Sequence, residues 1–124
     1  MWSCFLSGTA QLDIKDIYVH GYLQFGERIA EDYDELINQA LADICEDPHR
    51  IGAKPVPGKD DGLHQYPLSL SKKRTQGKIK KPKHVVLYYI FARERAIVIA
   101  RVLREGREQE QKKINRARVM DDLD

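Results

Sequence analysis

Cysteine is scarce in this chain: of 124 residues, Cys4 and Cys45 alone carry a thiol. Two thiols so far apart exclude the dense cysteine frameworks of small secreted domains and of zinc ribbons. They read as reduced, buried side chains, with a disulfide or a reactive nucleophile as the alternatives. Histidine is equally thin. His20, His49, His64 and His84 show no paired spacing with one another or with cysteine, so no metal site is expected, and no motif asks for a cofactor. Long apolar runs are missing too. No stretch reaches the 18 or so residues that cross a bilayer, and no signal-peptide core opens the chain, so a soluble, cytoplasmic protein without membrane contact is expected.

What is present begins with two amphipathic periods. Ile14, Ile17, Tyr18, Gly21, Tyr22 and Phe25 fall on the i, i+3, i+4, i+7 series and make one apolar stripe, with Lys15, Asp16 and Gln24 outside it. Ser7 or Thr9 can cap its start, and Gly26 suits its end. Ile29, Tyr33, Leu36, Ile37, Ala40, Leu41 and Ile44 repeat the pattern for four turns, while Glu31, Asp32, Asp34 and Glu35 hold the wet face, until Asp47-Pro48 stops it. With little more than Gly26 and Glu27 between them, the two helices must fold back as an antiparallel pair.

Strand patterns follow. Val85 to Phe91 and Ile97 to Leu103 are β-branched and aromatic runs of strand length, and the five residues between them predict a hairpin. His64 to Ser71 alternates through Tyr66, Leu68 and Leu70, although Pro67 confines it to an edge, a bulge or an irregular start. Trp2 to Ser7 alternates as well and predicts one more strand. After Gly106 the composition turns to Glu, Gln, Lys and Arg, which reads as a polar, partly helical tail. The expected fold is α+β: an N-terminal helical hairpin on a small antiparallel sheet, one domain over residues 1–124, with a core of about 2–110 and a polar tail of 111–124.

Charge is divided between the halves. Residues 1–62 hold 5 Lys/Arg against 12 Asp/Glu, a balance of −7, and the whole chain carries +2, which leaves +9 for the remainder. The excess peaks at Lys72-Lys73-Arg74 and continues through Lys78, Lys80, Lys81 and Lys83 with no acid among them. Such a run reads either as a solvated loop or as a contact for phosphate or an acidic partner, and Gly77 and Pro82 favour a mobile loop between strands.

Several segments together resemble the RelE/ParE superfamily of bacterial type II toxins, most closely its ParE-like branch. They are Thr9 to Ile17, Gln24 to Ala30 with Tyr33, Glu46-Asp47-Pro48, Ile51-Gly52, Gly62-Leu63, Pro82 to Tyr89 and Ile97 to Leu103. The resemblance covers roughly residues 2–110 and rests on the order and spacing of these segments. It implies a helical hairpin on an antiparallel sheet and a cognate antitoxin that wraps the toxin in a hetero-oligomer. ParE-like members inhibit DNA gyrase by binding, whereas RelE-like members cut mRNA on the ribosome.

This chain departs from the superfamily pattern at one informative place. Where members commonly carry a His-Asp or similar pair just after the last strand, it has Arg104-Glu105, and no Tyr or His follows through 124. RNA cleavage by a 2′-hydroxyl needs a base, an acid and cations around the phosphate. If the chain is a nuclease, His84, Tyr88 and Glu105 are the candidate proton carriers and Arg101 a charge stabiliser. Tyr88 and Tyr89, alternating on their strand, read more naturally as packing residues, and His84 as a strand-edge residue. The expectation is therefore a gyrase-binding toxin that uses Arg104, Arg107, Lys73 and Arg74 on its target. An mRNA endonuclease and a degenerate toxin that still binds antitoxin are the alternatives.

Overall fold

The computed structural model describes residues 1–123. In chain order these form β1 (Ser3–Leu6), α1 (Gly8–Phe25), α2 (Glu27–Glu46), β2 (Lys54–Pro55), β3 (Leu63–Pro67), a 3-10 helix (Leu68–Arg74), β4 (His84–Phe91), β5 (Ala96–Arg104), α3 (Glu108–Lys112) and α4 (Arg116–Asp121). The strands make one sheet in the order β1-β5-β4-β3-β2. All neighbours are antiparallel except β1, which lies parallel to β5. The sheet is thus mixed where a wholly antiparallel one was expected. The chain leaves β1 through the helical hairpin and reaches β5 last, so β1 closes the edge beside a strand far from it in sequence.

Ser7 starts α1 as expected: its Oγ accepts from Ala10 N at 3.0 Å and donates to Ala100 O at 2.8 Å. One side chain therefore caps the helix and ties it to the last strand. The two helices are separated by Gly26 alone, whose φ of +91° reverses the chain in a way other residues adopt only with strain.

The hairpin packs on one face of the sheet through Ala10, Leu36, Ile37, Ala40 and Ile44 against Tyr66, Val86, Tyr88, Ile97, Ile99 and Val102. Each fully buried aliphatic side chain there contributes about 1.5–3 kcal/mol. The predicted stripes hold only near the base of the hairpin. Tyr22, Phe25 and Ile29 are exposed, as are Val19 and Leu23, so the connected ends of the helices are left uncovered by the other described residues.

The second face was not anticipated as a covered one. Val56, Leu63, Val85, Leu87, Tyr89, Val98, Ala100 and Leu103 form a second cluster, closed by Ile114 and Val119 with Leu123 packed beside them. The segment read as a polar tail brings these three apolar residues over the sheet. Its end is clasped to the start of α1, where Thr9 donates from both N and Oγ1 to Asp122 Oδ2 at 2.7 Å and Gly8 N donates to Asp122 O.

Three further expectations are corrected. The strand expected to run from His64 to Ser71 ends at Pro67, which removes a ladder donor, and the chain tightens into the 3-10 helix. Lys72-Lys73-Arg74 accordingly occupy the last turn of that helix and are not part of a loop. Cys4 and Cys45 form a disulfide between β1 and α2, their Cα atoms 6.0 Å apart, in place of two reduced thiols. The edge strand runs beneath the last turn of α2, a closeness that a sequence separation of 41 does not reveal. No helix among the described residues is long and apolar enough to cross a membrane.

Candidate functional site

The sequence-predicted residues gather, in part, where β4 begins and β5 ends. His84 pairs with Arg104 across the two strands, and Glu105 N donates to Lys83 O at 2.8 Å just beyond. A cleft of about 180 Å³ opens here between the strand ends and α1, lined by Asp13, Asp16, His84, Arg104, Arg107 and Glu110 among others. Arg104 and Arg107 are exposed; Arg107 Nη1 reaches Glu110 Oε1 at 3.1 Å, and no ion pair among the described residues involves Arg104.

A bulge in β5 shapes the neighbouring wall. Leu87 faces Arg101 and Tyr88 faces Ile99, so Ala100 is an extra residue in the ladder. The interruption leaves Val102 N to donate to Asp13 Oδ2 at 3.0 Å, and it aims Arg101 at the same carboxylate through Nε at 2.7 Å and Nη2 at 2.9 Å. This two-pronged pair raises the Arg101 pKa through the Asp13 hydrogen bond. Arg101 is thereby occupied in joining β5 to α1.

His84 lies half-buried behind Arg104. Its Nδ1 is 2.6 Å from the hydroxyl of Tyr33, and that hydroxyl also accepts from Lys83 N at 3.1 Å. A tyrosine hydroxyl has one proton to give. That proton goes to His84 Nδ1 when the ring hydrogen sits on Nε2, and in the other tautomer the hydroxyl accepts from Nδ1; in both, Nδ1 is held by Tyr33. Burial first, and Arg104 second, push the His84 pKa down from 6.5 to about 4. The ring is neutral at pH 7, with Nδ1 engaged by Tyr33. Burial raises the pKa of Tyr33 in turn.

The other nuclease candidates stand apart. Tyr88 is fully buried on the hairpin side of the sheet, where its hydroxyl donates to Pro48 O at 2.7 Å, and burial raises its pKa. Glu105 is exposed beyond the strand end. His84, Tyr88, Glu105 and Arg101 thus point into four different surroundings. Tyr89 packs on the opposite face with its hydroxyl donating to Asp61 Oδ2 at 2.8 Å, so the alternation expected for β4 holds.

Lys73 and Arg74 are placed elsewhere, beside the C-terminal half of α2. Arg74 Nε contacts Asp43 Oδ1 at 3.1 Å, while Lys73 is exposed. Asp43 itself, 1% exposed, was missed in the sequence. It accepts from Ser71 Oγ at 2.5 Å and Gln39 Nε2 at 2.9 Å, lies 3.7 Å from Arg50 Nη1, and through Ser71 reaches the hydroxyl of Tyr66 at 2.9 Å. The available signal was its position: residue 43 stands three after Ala40 and seven after Leu36, on the buried stripe of α2. A carboxylate there requires partners.

A model of the ParE toxin of type II toxin-antitoxin systems, parDE, matches residues 5–109. No curated protein matches the chain. Among solved structures, the chain is similar to one of the chromosomal ParDE system from P. aeruginosa, at 15% identity and a TM-score of 0.60, covering 84% of this chain and 96% of that one. It is also similar to a chain of the toxin-antitoxin complex RelBE2 from Mycobacterium tuberculosis, at 18% identity and a TM-score of 0.53, covering 84% and 98%. At such identities the two structures speak for the fold, an α+β arrangement of two N-terminal helices and a five-stranded mixed sheet. The family match over most of the chain goes further: this protein belongs to the ParE toxin family of type II toxin-antitoxin systems, within the RelE/ParE superfamily.

Proposed function

We propose that this toxin inhibits DNA gyrase by docking, without cleaving a bond, and that a cognate antitoxin holds it silent. The observation that carries the docking reading is the composition of the cleft at the strand ends. Arg104 is exposed there and in no ion pair among the described residues, with Arg107 beside it, whereas the nearest base, His84, is half-buried with Nδ1 held by Tyr33. An exposed guanidinium such as that of Arg104 suits forked hydrogen bonds to carboxylates or phosphates on another molecule, and Arg107, paired at the surface with Glu110, adds to the positive charge beside it. A cleavage site would instead need an accessible base beside the cations.

The antitoxin reading has separate support. Leu23 and Phe25 are 76% and 68% exposed at the connected ends of the hairpin, with Tyr22, Val19 and Ile29 around them, an apolar surface of the kind that partners cover. Both similar solved structures are of toxin-antitoxin systems.

The test is direct. The purified chain is expected to block gyrase supercoiling of relaxed plasmid, or to trap cleaved DNA, and to leave ribosome-bound message intact. Cut message with unaffected gyrase would establish the endonuclease reading in its place, and His84 would then be the first residue to replace.

A further inference from the structure

Residues 72–83 hold seven lysines and arginines and no acid. Two of the seven are committed internally: Arg74 to Asp43, and Lys72, whose Nζ donates to Lys80 O at 2.6 Å. After the 3-10 helix the segment is laid along the N-terminal half of α2. Gln76 N donates to Glu35 Oε1 at 3.0 Å, Gly77 rests against Asp32, Ile79 packs on the hairpin-side core and Pro82 is buried. Lys83 is fastened twice, by its N to the Tyr33 hydroxyl and by its carbonyl to Glu105 N.

These anchors decide where the charges go. With Ile79 and Pro82 turned inward, Lys78, Lys80, Lys81 and Lys83 are left exposed, together with Lys73 at one end. Arg104 joins them at the other end, because it is the cross-strand partner of His84, the residue after Lys83. Among the described residues no ion pair involves any of these six cations. A merely solvated loop would not need its backbone fastened in this way. Here apolar anchors and four hydrogen bonds hold mutually repelling charges in a row.

We propose that this row binds the phosphate backbone of duplex DNA, whichever protein the toxin inhibits. From Lys78 to Lys83 the chain, bent at Lys80 and Lys81, spans at most about 16 Å, and a duplex presents a charge about every 1.7 Å of its axis. Several phosphates therefore fall within reach of the row. Duplex is favoured over single strand because single-strand surfaces stack bases on aromatic side chains. The exposed aromatic residues Phe5, Tyr22 and Phe25 lie on β1 and at the hairpin end, not in the row.

The experiment is fluorescence anisotropy of a short labelled duplex titrated with the full chain, repeated from about 50 to 200 mM salt. Neutralisation of five or so phosphates predicts a slope of log K against log salt of about −4.5. Combining Lys78→Ala, Lys80→Ala and Lys81→Ala should cut the slope by about 2.7 and weaken binding at least tenfold at the lowest salt, with an unchanged melting curve. Arg93→Ala, in the turn at the other end of the β4–β5 hairpin, should leave both quantities as they were. The proposal is overturned by no saturable duplex binding at low salt, by tighter binding of single-stranded RNA than of duplex, or by an equal loss in Arg93→Ala. Neither gyrase nor ribosome is in the cuvette, so the result stands apart from that of the supercoiling assay.

Discussion

The two halves of α2 hold polar groups under opposite conditions. Toward its C-terminus, Asp43 is sealed from water and surrounded by Ser71, Gln39, Arg50 and Arg74, and two residues on Cys45 bonds to β1. Toward its N-terminus, Tyr33 supports a cleft whose arginines face solvent, beside a lysine row that joins no ion pair among the described residues. About ten residues of helix, or roughly 15 Å, separate them. Both regions are rich in charge, yet only one leaves its charges available. A buried group whose hydrogen bonds are all internal contributes to holding the fold, whereas exposed charge held on ordered backbone with no internal partner is available to another molecule.

The sharpest test of this division is Asp43→Ala. Removing the carboxylate strips Ser71 and Arg74 of their partner, at an expected cost of about 2–4 kcal/mol, below the range for a fully buried pair because Arg74 is half exposed. Urea denaturation reads it directly, and a loss under 0.5 kcal/mol would mean that the closed region is not what holds the fold. Cys45→Ser acts at the same end of α2. Chain entropy for a 41-residue separation sets a ceiling near 4 kcal/mol, with about 2–4 kcal/mol expected. Dithiothreitol should lower the wild-type melting temperature and leave that of Cys45→Ser unchanged.

His84 provides a smaller effect at the open half. Its pKa is about 4 in the fold against an ordinary 6.5, so the unfolded chain binds more protons between those values. The stabilising contribution is therefore complete above pH 6.5 and is lost as pH falls through that window toward 4. The shift corresponds to about 1–3 kcal/mol once discounted for partial exposure. Denaturation midpoints of His84→Gln should flatten between pH 4 and 6.5 relative to wild type, and parallel curves would assign the acid sensitivity to other groups.

The least expected change in stability is for Arg104→Glu with Arg107→Glu, within about 0.5 kcal/mol, as for exposed surface sites generally. Inhibition of gyrase should nonetheless fall at least tenfold, with the antitoxin complex intact by size-exclusion chromatography. A stable double variant that still inhibits would move the docking surface elsewhere, and a destabilised one would erase the contrast between the two halves of α2.

Much of the scaffold was legible because its signals are local. The 3.6-residue period, Gly26 and Asp47-Pro48 identify the helical hairpin, and β-branched runs around a short turn identify β4 and β5. The burial of Tyr88 and Tyr89 on opposite faces follows from alternation alone. In the candidate site, Arg104, the last residue of β5, and Arg107 line one cleft, a nearness that their spacing of three residues already suggests. Tyr33 as the partner of His84, Asp13 as the partner of Arg101, and Asp43 beneath Ser71 all join residues 28 or more positions apart, and no local period encodes such pairs.

The sequence by itself determined the two long helices, β4 and β5, their order and the uneven distribution of charge, because periodicity, turn residues and composition act between near neighbours. Tertiary structure alone decided how far each apolar stripe is used: Ile37 is covered by the sheet while Phe25 is exposed, since burial depends on what lies opposite. It also decided that β1 runs parallel to β5, that Cys4 meets Cys45, and that Ile114 and Val119 turn a polar-looking tail into the cover of the second face. Each of these is a meeting of distant segments, set by where the remaining apolar surface could be removed from water.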